Sequence, residues 1–221
     1  TPLTLVVAKD EDPSRENNKM SLWIVDMAAE GVSTAKLDKI GNQIAPFCEI
    51  YFDDVVLEPT ALVGERGTGF MNLMKNFEFE RCIVVASLLG QAQAAQEDAA
   101  AYASVRKAFN QPIGNFQLVQ EKLVENEIRL TNTRNFLYRT VWKLMNGLPI
   151  QLDAALLKRY GAPACTAVGN DAIGVFGGLG YTTETRVGRV WVDCRGLEIG
   201  GGTTDIMAYI AGRQILKKYK K

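Results

Sequence analysis

The stretch Gly67–Ala92, GTGFMNLMKNFEFERCIVVASLLGQA, is where the chain changes texture. Within it Phe70, Leu73, Phe77, Val84 and Leu88 recur at intervals of three, four and seven, the spacing of one face of an α-helix. Ala92, Ala95 and Ala99 extend the stripe. The spacing therefore predicts a helix over 68–108, with Thr68 as N-cap and the segment Asn110-Gln111-Pro112-Ile113-Gly114 as its stop. Upstream the texture differs. Four strand-like runs, Leu3–Ala8, Ser21–Met27, Val32–Lys39 and Cys48–Leu57, are separated by turn formers at Asp10–Asn18, Glu30-Gly31 and Gly41–Pro46. Four short strands make a sheet fragment, which needs further strands to close a core.

Downstream of Gly67 the helical period persists. A second stripe, Val119, Leu123, Leu130, Leu137, Val141 and Leu144, predicts a long helix closed at Gly147–Pro149. A third helix is expected over 151–175, with Pro163 as a kink or break. The loop Gly177-Gly178-Leu179-Gly180, a short helix over 184–192, the loop Gly200-Gly201-Gly202 and a last helix to Lys218 complete the chain. Long helices joined by short loops imply an antiparallel bundle. The fold class is thus mainly α: a four-helix-bundle-like C-terminal domain over 67–221, preceded by part of an antiparallel β domain over 1–66.

Composition removes several kinds of chemistry. Lys plus Arg equals Asp plus Glu, 25 against 25, so no net field recruits nucleic acid or an acidic membrane. The closing cluster Lys217-Lys218-Tyr219-Lys220-Lys221 suits the negative end of a helix dipole. The chain has no histidine, which excludes Ser-His-Asp and Cys-His catalysis, and no metal site is expected. Cys48, Cys82, Cys165 and Cys194 show no CxxC spacing and read as small buried hydrophobes of a reducing compartment. No apolar run reaches the length of a membrane span. The sequence opens at Thr1 inside a strand-like run, which reads as a cut chain, so targeting is not legible.

Three places could carry chemistry. Arg81 falls in the middle of the first helix's apolar face, with Glu78 and Glu80 on its flanks. A guanidinium there needs a partner, and two readings stay open: an Arg–Glu pair that holds helices in register, or a tuned carboxylate at a working site. Arg106 and Phe109 place a cation and an aromatic at a helix end, suited to a phosphate with a ring beside it, or simply to a solvated terminus. The two glycine loops precede helices, whose free N–H groups suit anions, although Thr203 or Thr204 also reads as an N-cap.

Taken in order, these segments resemble the acyl-CoA dehydrogenase family over essentially the whole chain. Phe52-Asp53-Asp54-Val55-Val56 with Gly64–Phe70 resembles the family's passage from β domain to helical domain, and Glu80-Arg81 its Glu-Arg pair. Arg106–Gln120, RKAFNQPIGNFQLVQ, is similar to the run RxxFGxPIxxFQxxQ; Phe176–Tyr181, FGGLGY, to FGGxGY; and Gly201–Met207, GGTTDIM, to GGTxEIM.

The resemblance implies a flavin enzyme that removes an α proton and a β hydride from an acyl-CoA thioester, giving a trans-2-enoyl-CoA. It implies FAD as cofactor, an electron-transfer flavoprotein as electron acceptor and a homodimer or homotetramer, in a bacterial cytoplasm or the mitochondrial matrix. Most members take the base from a Glu immediately before the Gly-Thr of the last motif, where this chain has Gly201. In a minority the base is the Glu of the Glu-Arg pair, so Glu80 is the expected base. Glu78, Arg81 and Gly202 are expected at the substrate, and the Gly201 N–H at the thioester carbonyl. Arg106, Phe109, Phe116, Gln117, Gly177, Gly178, Thr203 and Asp205 are expected at FAD, with Arg106 facing the pyrophosphate of a neighbouring subunit.

Three positions depart from the pattern: Asn110 for Gly, Gly174 for a flavin-contacting Gln, and Asp205 for a longer side chain. The competing readings are an enoyl-CoA reductase of the crotonobetainyl-CoA kind and a non-catalytic helical oligomerisation fragment.

Overall fold

Short β-branched and aromatic runs give four strands, β1 (Leu3–Lys9), β2 (Met20–Asp26), β3 (Val32–Lys36) and β4 (Cys48–Phe52). They pair as two antiparallel ribbons, β1 with β2 and β3 with β4. The first runs from Leu3↔Asp26 to Lys9↔Met20 and the second from Val32↔Phe52 to Lys36↔Cys48. The computed structural model describes residues 2–10 and 19–220. Most of the expected Asp10–Asn18 turn, together with Thr1 and Lys221, lies outside the described residues. β3 and β4 stop short of the expected Lys39 and Leu57.

The helical half consists of α1 (Gly69–Val105), α2 (Gln117–Met145), α3 (Gln151–Phe176), α4 (Arg186–Ile199) and α5 (Thr204–Tyr219). A hairpin, β5 (Lys107–Ala108) with β6 (Gln111–Pro112), joins α1 to α2. Thr68 stands at the expected N-cap position, immediately before α1, where its carbonyl accepts the Asn72 N–H at 3.1 Å; its hydroxyl donates to the Glu65 carbonyl at 2.7 Å and accepts from the Asn72 side-chain amide at 3.2 Å. Three details of the helices differ from the sequence reading. Phe70 sits on the exposed side of α1, outside the stripe assigned to it. α1 ends at Val105 because the hairpin begins there. α4 extends to Ile199, since Gly196 and Gly200 close it by a Gly200 N–H to Gly196 carbonyl bond at 3.1 Å.

The chain divides into two compact units, Thr1–Phe77 and Glu78–Lys221, with the boundary inside α1. In the first, Gly69 lies so close to β2 that a Cβ there would stand 2.5 Å from backbone atoms of Ser21 and Leu22. In the second, Val85, Leu88, Leu130, Leu157, Val168 and Val187 form a core with the small residues of α1 and α3. Glycines set the spacing. A Cβ on Gly161 would meet Val85 at 2.9 Å and Thr133 at 3.1 Å, and one on Gly169 would meet the Trp191 backbone at 2.9 Å. α3 is therefore the element against which α1, α2 and α4 close, and α5 packs on it through Ala155, Met207 and Ala211. Pro163 lies inside α3, which continues through it. Among the described residues no helix is long and apolar enough to cross a membrane.

Candidate active site

The N-terminal third of α3, at Lys158, faces the loop between α4 and α5. Gly201 and Gly202 both take positive φ, 68° and 98°, which a side-chain-bearing residue adopts only under strain. A Cβ on Gly201 would stand 3.7 Å from Glu80 Oε1 and 3.7 Å from Lys158 Cε. One on Gly202 would stand 4.0 Å from Arg81 Nη2. Three charged side chains thus converge on a loop that offers only backbone. Glu80, Arg81, Gly201 and Gly202, expected together, are together.

Arg81 is buried, at 4% exposure, within the apolar face of α1. Burial lowers its pKa from the usual guanidinium value, while Glu78 and Glu80 act in the opposite direction. It stays charged at any working pH.

Lys158 is the residue the sequence reading missed. It is fully buried, and its ammonium donates to the Gly202 carbonyl at 2.5 Å and lies 3.5 Å from the Glu198 carbonyl. Burial foremost, and then Arg81, push its pKa down to about 8, against the opposing carboxylates of Glu198 and Glu80. A signal was present. Lys158 lies one helical turn from both Ala154 and Ala162, on the buried face of α3, where a lysine is as anomalous as Arg81 is on α1.

Thr203 and Asp205 have local work. The Thr203 hydroxyl accepts from the Ile206 N–H at 3.2 Å and is the N-cap of α5. Asp205 stands in the first turn of α5, with its carboxylate 3.5 Å from Arg159 and its side chain open to solvent.

The other expected residues gather elsewhere. The Tyr102 and Phe176 rings stack at 4.3 Å, bringing the end of α1 beside the Gly177-Gly178 turn. Phe109 and Asn110 are the two central residues of the β5–β6 hairpin, both with positive φ, 51° and 62°. Positive φ at both positions is the demand of a type I′ turn, and Asn meets it nearly as well as Gly. The departure at Asn110 thus keeps the turn. Phe109 is almost fully exposed, with its ring edge-on to Phe116 at 6.1 Å. Arg106 and Gln117 are exposed as well. A Cβ on Gly177 or Gly178 would meet nothing within 4 Å. An exposed cation, two aromatic rings and bare backbone suit a dinucleotide carrying a pyrophosphate and a base. The residues present fit FAD. Gly174, also exposed, has Lys122 as its neighbour, with Cε 3.8 Å from where a Cβ would stand.

These two groups lie apart. Lys158 and Phe176 are separated by eighteen residues of α3, roughly 27 Å of helix axis at 1.5 Å per residue.

Residues 67–216 match the family described as acyl-CoA dehydrogenase, C-terminal domain. Over 219 residues the chain is 46% identical to the Escherichia coli K12 protein named "Probable acyl-CoA dehydrogenase YdiO", covering 99% of this chain and 57% of that one. Among solved structures it resembles the acyl-CoA dehydrogenase of Slackia heliotrinireducens, with a TM-score of 0.90 and 38% identity over 99% of this chain and 57% of that one. It also resembles butyryl-CoA dehydrogenase of Megasphaera elsdenii, with a TM-score of 0.91 and 30% identity over 97% of this chain and 56% of that one. The chain spans a little over half the length of these relatives. The ordered motifs, the bundle and the family match over most of the helical half agree: the chain belongs to the acyl-CoA dehydrogenase family.

Proposed function

We propose that the full protein is an FAD-dependent acyl-CoA dehydrogenase in which Glu80 is the base. The carrying observation is the Glu80 carboxylate, 3.7 Å from the point where a Gly201 side chain would begin. A base supplied from α1 reaches the space that a base at position 201 would leave. Glu80 takes the α proton of the thioester as a C=C bond forms and the hydride leaves the β carbon; bound FAD supplies the acceptor for that hydride. The Gly201 N–H donates to the thioester oxygen, where negative charge develops. Arg81, held beside Glu80 in an apolar face, orients the carboxylate. Glu78 and Gly202 complete the substrate side.

Arg106, Phe109, Phe116, Gln117, Gly177 and Gly178 belong to the other end of α3. The roughly 27 Å between the groups supports their serving different flavins, one of them a neighbouring subunit's, in a homodimer or homotetramer. Thr203 and Asp205 then approach the flavin of their own site. Electrons pass to an electron-transfer flavoprotein.

Glu80→Gln in the full-length protein tests the reading. Deuterium exchange at the α carbon of bound acyl-CoA should fall by about 10²- to 10⁴-fold, the range lost with a general base, while flavin absorbance remains. Unchanged exchange would remove Glu80 from the chemistry. Turnover of saturated acyl-CoAs with an artificial acceptor, compared with reduction of enoyl-CoAs, separates the dehydrogenase from the reductase direction.

A further inference from the structure

We propose that Lys158 is a positioning residue whose ammonium bridges the loop between α4 and α5 and thereby fixes the aim of the Gly201 N–H. The inference rests on the dehydrogenase reading above, which makes that N–H the donor to the thioester. Three successive glycines, Gly200–Gly202, lose more conformational freedom on ordering than any other triplet. None has a side chain with which to anchor the loop. Its ends are held by the Gly200 N–H to Gly196 carbonyl bond and by the Thr203 cap. Between them the loop is held at Gly202 by Lys158, whose ammonium also reaches the Glu198 carbonyl in the last turn of α4, so that its two acceptors stand on either side of Gly201.

Geometry and cost point the same way. Lys158 is fully buried and its Cε lies 3.7 Å from where a Gly201 Cβ would stand. A buried ammonium is costly for stability, and an apolar side chain of similar volume would fill the same space without that penalty. What the ammonium adds is a directional tie from the last turn of α4, at the Glu198 carbonyl, to the Gly202 carbonyl of a loop whose backbone must point one way. A donor misplaced by about 1 Å costs on the order of 10²-fold in rate.

The test uses the full-length protein with bound flavin, as wild type, Lys158→Met and Lys158→Gln. Butanoyl-, octanoyl- and hexadecanoyl-CoA are the probes, and the one the wild type handles best is used throughout. Lys158→Met should lower kcat and α-carbon exchange by about 10- to 100-fold with KM changed less than about threefold. Amide hydrogen exchange should rise in the peptide covering 199–204 and stay unchanged in the middle of α3. Lys158→Gln keeps a neutral donor and should recover part of the loss.

Wild-type rates together with an unaltered loop in Lys158→Met would overturn the assignment. So would loss of flavin and of cooperative unfolding in both variants, because Lys158 would then be a folding residue. Absence of α-carbon exchange in the wild type itself would sink the dehydrogenase reading, and this role with it. Equal exchange in wild type and Lys158→Met would sink only the role of Lys158.

Discussion

The two units of this chain bury very different amounts of themselves. In the helical unit, two clusters of buried side chains run the length of α3, and even a lysine lies fully inside. In the β unit, among the described residues, only Ser21, Leu22, Val25 and Gly69 are buried. Ile40, Ile44, Phe47 and Phe52 are exposed, Ile44 at 99%. An isolated two-stranded ribbon is marginal in water, because it has one layer and nothing to pack on its apolar side. A bundle closes its own core. The difference shows that regular hydrogen bonding is not the same as a self-sufficient domain: both ribbons keep a regular register, and neither closes a core.

The largest effect should come from cutting into the closed core. Leu130 is 1% exposed and sits in the main cluster of the bundle. Leu130→Ala removes its packing and leaves a cavity, and should cost about 3 kcal/mol of unfolding free energy. Ile44→Ala, made in the β unit with the same chemistry, should change stability by less than about 0.5 kcal/mol. Urea denaturation of the full-length protein measures both. Equal losses would mean that the rest of the protein covers Ile44, and the contrast between the units would disappear.

A second test uses the charge inside the bundle. Lys158 titrates near 8 in the folded chain and near 10.5 when unfolded. Between those values the unfolded state binds more protons, so stability contributed by this group rises as pH increases from about 8 to 10.5. Below about 8 the cost of burying the ammonium is fully present. The groups facing it are Arg81 and Glu80 from α1 and Glu198 from α4, and they are shared by the Lys158→Met variant. Wild type should therefore gain on Lys158→Met across that window, by at most about 3 kcal/mol. Paired denaturation curves at pH 7.5 and 10 would show the gain, and a constant difference would mean that the ammonium is solvated.

The legibility of the sequence follows the same contrast. α2 and α3 were legible to within a residue or two because a bundle repeats its apolar period over many turns. The Arg81 anomaly was legible because it interrupts such a period. Lys158 interrupts another, but among Ala154, Ala155 and Ala162 the small residues on both sides blur the stripe, and the long stem of a lysine reads as an edge residue. The convergence of Glu80, Arg81 and Lys158 on Gly201 and Gly202 could not be read from spacing, since it joins α1, α3 and the loop after α4. Only the family resemblance linked Glu80 to the missing side chain. The β strands were found, but the ends of β3 and β4 were overrun, because their exposed residues carry no burial pattern to mark where pairing stops.

The smallest expected effect lies on the bundle's surface and limits what the contrast means. Arg186 holds Asp98 through two nitrogens, at 2.5 and 2.8 Å, tying the start of α4 to α1. The geometry is bidentate, but both side chains are well exposed, at 46% and 34%. The Asp98 bond raises the Arg186 pKa further, which changes nothing at working pH because the guanidinium is charged regardless. Water screens the pair, and ordering two long side chains offsets much of the attraction. Arg186→Ala should cost no more than about 1 kcal/mol, and less in 0.5 M salt than in 0.05 M. A loss comparable to that of Leu130→Ala would mean that the bundle is held by its surface ion pairs as much as by its core. A salt-insensitive loss would point instead to the stem of Arg186 packing along α1.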